Sequence, residues 1–463
     1  MAVNREETSD YTKKFMAQEA PRLSPVFIDY NKEIAESKLA NGVAFDYIKN
    51  KNNSTFSMNY IVEMGKNSDK LLPMAVSYLQ FLGTDKYSAE QLKQEFFKLG
   101  LSFDVFSGPD RVYVSLSGLD ESFEEGVQLF EHILGNVKGD AGVLKNVVAD
   151  IMKEREDAKK DKWSILRRGM ANYAIYGKNS SLTDVFSESE LNKITPEQLV
   201  EQIKTITSYD HKIFYYGSKS SSAVKTTLNQ YHKVPMKLKP VKEAKQYPEL
   251  STAGNKVYFV NHPMVQAEVL MMSKGSPNFS LDEYIMSQLY NTYFGAGLSS
   301  IVFQEIRESK ALAYSAYAFY TSPSKKDKSH YMQAYVGTQV DKLKEAIPAM
   351  QEIIENMPFS EDQIEQARQS LMKKYESERV NNTSIYWASR SAKDKGYDRD
   401  LRKDVYERLK TITPAELKVF QEKFVKGRDY TICVLGSKES VDMEYLKSLG
   451  NLVELKKEEI FGY

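Results

Sequence analysis

Short stretches that alternate apolar and polar side chains are interleaved along the chain with longer ones carrying an apolar stripe at helical spacing. Phe56, Met58, Tyr60, Val62 and Met64 alternate with mostly polar neighbours, which predicts a strand buried on one face. Ser88 to Gln91 reads as a capped helix start, with a stop near Gly100. Two adjacent strands are expected around 101–107 and 112–117, and polar-striped helices through 145–159 and again from Lys162. Past residue 255 the pattern recurs, with strands near 256–261 and 267–273 and a helix from Ser360 whose Gln363 completes a capping box. Strands that follow one another directly, with helices grouped in blocks, predict an α+β chain. Each domain should be a mostly antiparallel sheet with helices packed on one face; a doubly wound parallel sheet is not expected.

The landmarks repeat at one spacing. Thr195-Pro196-Glu197-Gln198 returns as Thr413-Pro414-Ala415-Glu416, 218 residues on (413 against 195). Both are capping boxes with proline in the first turn. Each leads to a helix and then a strand ending in Gly-Ser-Lys, with Gly217 and Gly436 separated by 219 (436 against 217). Gly118 and Gly337, each closing a strand that precedes an amphipathic helix, are again 219 apart (337 against 118). The chain reads as two homologous domains, 1–232 and 256–463. Between them, 233–255 holds Pro235, Pro240 and Pro248 among lysines without hydrophobic periodicity, an extended, solvated linker.

Composition narrows the chemistry. Hydrophobic residues make up 41% of the 463, enough for ordinary cores. Lys+Arg and Asp+Glu are both 63, so the basic surplus expected of a nucleic-acid binder is missing. No apolar run reaches a membrane span, and the first residues lack the apolar core of a secretion signal, so a soluble chain, cytoplasmic or periplasmic, is expected with the compartment open. Cys433 is the single cysteine, which excludes a disulfide framework or cysteine zinc cluster. No two of His132, His211, His232, His262 and His330 fall within five residues, and His262, before a proline, reads as a turn or core histidine. Trp163 and Trp387 read as packing anchors, and 325–328 as a loop tip between strands.

The densest stretch is Phe294 to Tyr317. Its Gly295-Ala296-Gly297 lacks the lysine of a phosphate loop and the third glycine of a dinucleotide fingerprint, so a tight turn into a helix explains it better. The helix should end near Lys310, with a strand from Ala311 to Phe319. Arg307 falls in the helix's last turn and Tyr314 on the strand beyond, where the two side chains are able to converge. By residue type alone, both read as structural.

This stretch resembles the signature of the pitrilysin/insulinase metallopeptidases, the family that includes the mitochondrial processing peptidase. The two-domain repeat, the linker and the closing Ile-Thr-Pro helix extend the resemblance over most of the chain. It implies a processing-peptidase-like metallohydrolase fold. It also implies that Arg307 holds the substrate backbone and that Tyr314 hydrogen-bonds the oxyanion of the tetrahedral intermediate.

The first domain departs from the family's active pattern. The inverted zinc motif His-x-x-Glu-His belongs just before Phe81-Leu82-Gly83-Thr84, but Met74 and Tyr78 stand at the histidine positions and Ser77 at the glutamate. Thioether, phenol and hydroxyl are poor substitutes for zinc ligands and a carboxylate base. Asp150, Glu154, Glu156 and Asp157, where a third ligand would fall, then read as a solvated helix face. The resemblance therefore implies the non-zinc half of a zinc metalloendopeptidase, with no cofactor on this chain and zinc on a partner half. The partner is either a separate subunit or part of a longer polypeptide, and the substrate an extended peptide. The alternative is a catalytically inactive scaffold subunit of the same fold, which would have no need of Arg307 and Tyr314.

Overall fold

Most helix starts are held by the caps that their sequences provide. The Thr195 hydroxyl accepts from the Gln198 N–H while the Gln198 side chain takes the Thr195 N–H, and Thr413 and Glu416 do the same. Ser88 and Gln91 close a further box at the start of the helix Ala89–Lys98, and Gly100, at φ +63°, ends it. Only half of the expected box forms at Ser360. Its hydroxyl accepts from the Gln363 N–H, but its own N–H is taken by the Tyr293 hydroxyl at 3.2 Å.

This is a computed structural model, which describes residues 9–18, 23–295 and 297–463. Ala296 and the first eight residues, on which some expectations rest, lie outside the described residues. Six strands build the first sheet: β1 (Ala35–Lys38), β2 (Ala44–Lys49), β3 (Thr55–Val62), β4 (Leu101–Ser107), β5 (Val112–Leu119) and β6 (Lys212–Gly217). Their order is β1-β2-β6-β3-β5-β4, antiparallel throughout except for the β2/β6 pair. The second sheet comprises β7 (Lys256–Asn261), β8 (Gln266–Lys274), β9 (Ser315–Thr321), β10 (Tyr331–Gln339), β11 (Thr431–Gly436) and β12 (Asn451–Leu455). The order β12-β7-β11-β8-β10-β9 has β7 parallel to both β11 and β12 and the rest antiparallel. The fold is α+β in two domains of like topology. Gly118 and Gly337 lie on the fifth strand of each order, and Gly217 and Gly436 end the third. The outermost strand differs, because β1 precedes β2 in the chain whereas β12 comes from the C-terminal end.

Each sheet carries its own helices on one face and receives a helix from the other half on the opposite face. The segment Ser164–Met170, continued by the helix Ala171–Tyr176, buries Ile165, Leu166 and Met170 against Tyr258, Leu270 and Cys433 of the second sheet. In return the helix Thr383–Asp394 lies on the first sheet, its Tyr386 ring stacked on Phe214 with centroids 3.8 Å apart. Trp163 and Trp387 are anchors of this exchange, Trp163 against Tyr335 and Trp387 against Tyr113. The crossing explains one departure from the sequence pattern. β3 is buried on both faces from Met58 onward because Ile61, on the face away from its own helices, packs into the cluster around Phe214 and Tyr386.

The segment 233–255 is tied down rather than simply solvated. Lys239 exchanges backbone hydrogen bonds with Ser208 and Asp210, Lys242 pairs with Asp69 at 2.5 Å, and Lys245 and Tyr247 both reach Asp184. The loop holding 325–328 joins β9 to β10 and docks on the first half through Lys325 and Asp110, 2.6 Å apart. Among the described residues no helix is long and apolar enough to cross a membrane.

Candidate functional site

The glycines before Arg307 shape a turn. A methyl group at Gly295 would be driven into the carbonyl oxygen of Ala318 on β9, and Gly297 has φ +104°. Ser300 then opens the helical segment that contains Phe303–Ser309, its hydroxyl accepting from the Phe303 N–H at 3.3 Å. Arg307 lies in the last turn, its guanidinium 4.9 Å from the Phe303 ring centroid and its Nε 3.9 Å from Glu308. Reversal follows at Ala311, a non-glycine residue at φ +49°, whose carbonyl accepts from Lys342 Nζ at 2.9 Å.

The strand begins later than the sequence suggests. β9 starts at Ser315, because the Leu312 N–H is still bonded to Ile306 and the Leu312 carbonyl is held by Thr338. Tyr314 is therefore the residue immediately before β9, though its N–H already donates to the Gly337 carbonyl at 3.0 Å and so continues the ladder.

Arg307 and Tyr314 line one depression of about 300 Å3, together with Gln339 and Lys342. Tyr314 is 65% exposed and its hydroxyl has no hydrogen-bond partner among the described residues. A second, wider depression of about 780 Å3 shares Tyr314 and Gln339 and adds Lys162 and Asp341. Lys162 comes from the first half and pairs with the buried Glu268 at 2.5 Å, whose other oxygen accepts from Tyr335. A free phenol beside an exposed guanidinium offers donors to the carbonyl oxygens of a ligand.

The helix Leu71–Leu79 carries Met74, Ser77 and Tyr78. Met74 is buried, and the Tyr78 hydroxyl both accepts from the Asp140 N–H at 2.6 Å and donates to its carbonyl at 2.7 Å. Tyr78 thus ties down the start of the helix Ala141–Ala158, on which Asp150, Glu154, Glu156 and Asp157 are exposed. This donor set does not fit zinc, and among the described residues no three His, Cys, Asp or Glu converge as metal ligands.

One polar cluster has no signal at all in local spacing. His211 and His232, 4% and 1% exposed, face each other with Nε2 atoms 2.9 Å apart. The Tyr209 carbonyl fixes the proton on His211 Nδ1, so His211 Nε2 accepts from His232 Nε2–H. His232 Nδ1 lies 2.8 Å from Glu131, which also accepts from the Tyr60 hydroxyl at 2.5 Å. His262 is a turn residue after β7, its N–H on the Gly436 carbonyl and its ring 3.0 Å from Lys457 Nζ.

Residues 193–371 match the family model described as the peptidase M16 inactive domain. The chain is 22% identical over 320 residues to an uncharacterized zinc protease of Rickettsia felis, covering 66% of this chain and 74% of that protein. In fold it is similar to a peptidase M16 inactive domain from Pseudomonas fluorescens, with TM-score 0.65 and 17% identity over 88% of this chain and 99% of that one. It is similar as well to the periplasmic protease PqqL from Escherichia coli, with TM-score 0.65 and 13% identity, covering 91% of this chain but 47% of that one. The chain is thus similar over most of its length to peptidase M16 proteins, the pitrilysin/insulinase family, and its residues 193–371 match that family's inactive-domain model.

Proposed function

We propose that this chain is the non-zinc half of a zinc metalloendopeptidase and presents Arg307 and Tyr314 to an extended peptide held against a zinc-bearing half with His-x-x-Glu-His. The carrying observation is that both side chains open into one depression, with the Tyr314 hydroxyl uncommitted. That the chain's fold spans 47% of the PqqL protease supports a two-half enzyme. On this reading 1–232 and 256–463 are a duplicated domain pair joined by 233–255, supported by the shared strand order.

The metal and the nucleophile belong to the other half; this chain supplies hydrogen-bond donors. Charge develops on the scissile carbonyl oxygen only during attack, so a phenol aimed there stabilises the transition state over the bound substrate. Arg307, bonded to the substrate backbone, acts in both states. The test is steady-state peptide hydrolysis by this chain reconstituted with a His-x-x-Glu-His half from the same source, with partner affinity measured separately. Tyr314→Phe is expected to lower kcat by ~10²–10³ without weakening assembly. Arg307→Ala is expected to raise KM as well. A Tyr314→Phe kcat within about threefold of wild type refutes the assignment and favours the scaffold reading.

A further inference from the structure

The helix that carries Met74, Ser77 and Tyr78 is not packed shut. Leu71–Leu79 and Ala141–Ala158 line a pocket of about 410 Å3, to which the second helix contributes Val147, Asp150, Ile151 and Glu154 at helical spacing. Met74, Phe81 and Phe186 complete an apolar wall with Val147 and Ile151. Lys66, Lys70 and Arg155 enter the same pocket.

The three cations are not equally compensated. Lys70 is paired with Asp184 at 2.9 Å. Lys66 and Arg155 have no carboxylate within 4.0 Å among the described residues. Arg155 is 9% exposed; it donates to the Phe186 carbonyl at 2.8 Å and lies under the Tyr463 ring, which leaves several of its five N–H donors without an oxygen acceptor. Lys66 spends one N–H on the Ser181 carbonyl. Burial, opposed by Asp184 and reinforced by the like charges of Arg168, Lys70 and Arg155, pushes the Lys66 ammonium down to about 8. Part-buried cations without a counter-ion are costly, and an incoming anion relieves both at once.

We propose that this pocket binds the free C-terminal carboxylate of a short peptide ending in an apolar residue. Lys66 and Arg155 hold the carboxylate, and the wall of Met74, Ile151 and Phe186 takes the last side chain. A peptide is favoured over a simple fatty acid by Asp150 and Glu154, which form no ion pair among the described residues and offer acceptors to peptide N–H groups. The inference is independent of the roles given to Arg307 and Tyr314.

The test is isothermal titration of the full chain with three probes: N-acetyl-Ala-Ala-Leu as the free acid, its C-terminal amide, and octanoate. The free acid is expected to bind, and the amide at least tenfold more weakly. Lys66→Gln should weaken the acid tenfold or more and leave the amide unchanged. Ser77→Leu, which adds bulk to the pocket lining, should abolish both. In wild type, affinity for the acid should fall about tenfold per pH unit above the Lys66 titration, and this dependence should vanish in Lys66→Gln, which separates charge recognition from a folding effect. No binding of the acid at millimolar concentration, equal binding of acid and amide, or octanoate binding as tightly as the tripeptide acid overturns the proposal.

Discussion

The buried His211–His232 pair makes the first half's stability depend on pH in a calculable way. Burial pushes His211 down to about 4, opposed by the Tyr209 carbonyl and assisted by the neighbouring His232 ring. In the unfolded chain the imidazole titrates near 6.5. Between these values the unfolded chain binds a proton that the folded one refuses, so stability rises with pH across this window and is lost as pH falls from about 6.5 to 4. At about 1.4 kcal/mol per tenfold in proton affinity, the loss attributable to His211 has an upper bound of about 3.5 kcal/mol. The perturbation is His211→Gln, which keeps an acceptor for His232 but titrates nowhere in this range. At pH 7.5 the variant should be about 1–2 kcal/mol less stable, because the bond to Tyr209 is lost in a buried site. The assay is urea unfolding of wild type and variant at half-unit intervals from pH 7.5 to 4, followed by fluorescence. Taking the difference between the two proteins cancels the groups distant from the pair and leaves the titration of His211 together with that of His232, to which it is bonded. That difference should shrink and then change sign as pH drops, with wild type the less stable near pH 4.5. A difference that stays constant from pH 7.5 to 4.5 refutes the reasoning.

Three further outcomes follow from contacts elsewhere. Tyr386→Ala removes the ring stacked on Phe214 and should cost about 3–5 kcal/mol, read in urea unfolding, with faster proteolysis between the halves; a loss below 1 kcal/mol contradicts the clasp. Tyr78→Phe leaves the Asp140 N–H and carbonyl without their shared partner and should cost about 1–3 kcal/mol, read as a lowered urea midpoint. Gly295→Ala should destabilise the second half by about 1–3 kcal/mol through the clash with Ala318, read by thermal unfolding, and an unchanged melting temperature contradicts that packing.

What could be read in the sequence was local. Caps at Thr195, Thr413 and Ser88 follow from side chains three residues apart, and the structure forms all three. β4 and β7 match their expected bounds, β4 because it alternates apolar and polar residues and β7 because its short apolar run is bracketed by Lys256 and Asn261. The half-formed box at Ser360 was out of reach because the competing partner, the Tyr293 hydroxyl, arrives from another element. The same holds for the histidine pair, whose members lie 21 residues apart and meet only because one immediately precedes β6 and the other follows the helix Ser221–Tyr231. Burial of β3 on both faces required knowledge of a helix more than 300 residues further along.

The candidate site shows the same division and gives it a physical meaning. Arg307 and Tyr314 share one turn, so seven residues of sequence suffice to bring them to one depression. Lys162, beside Tyr314 in the wider depression, comes from the segment that crosses from the first half, and its ammonium is held there by Glu268 on the floor of the second sheet. Glu268 is only 1% exposed, so its carboxylate would be stranded without Lys162 and Tyr335. The charge that fixes the crossing helix is thus also the charge at the edge of the site. The Arg307–Tyr314 turn is built within one half, but the surface it faces exists only when the two halves are clasped.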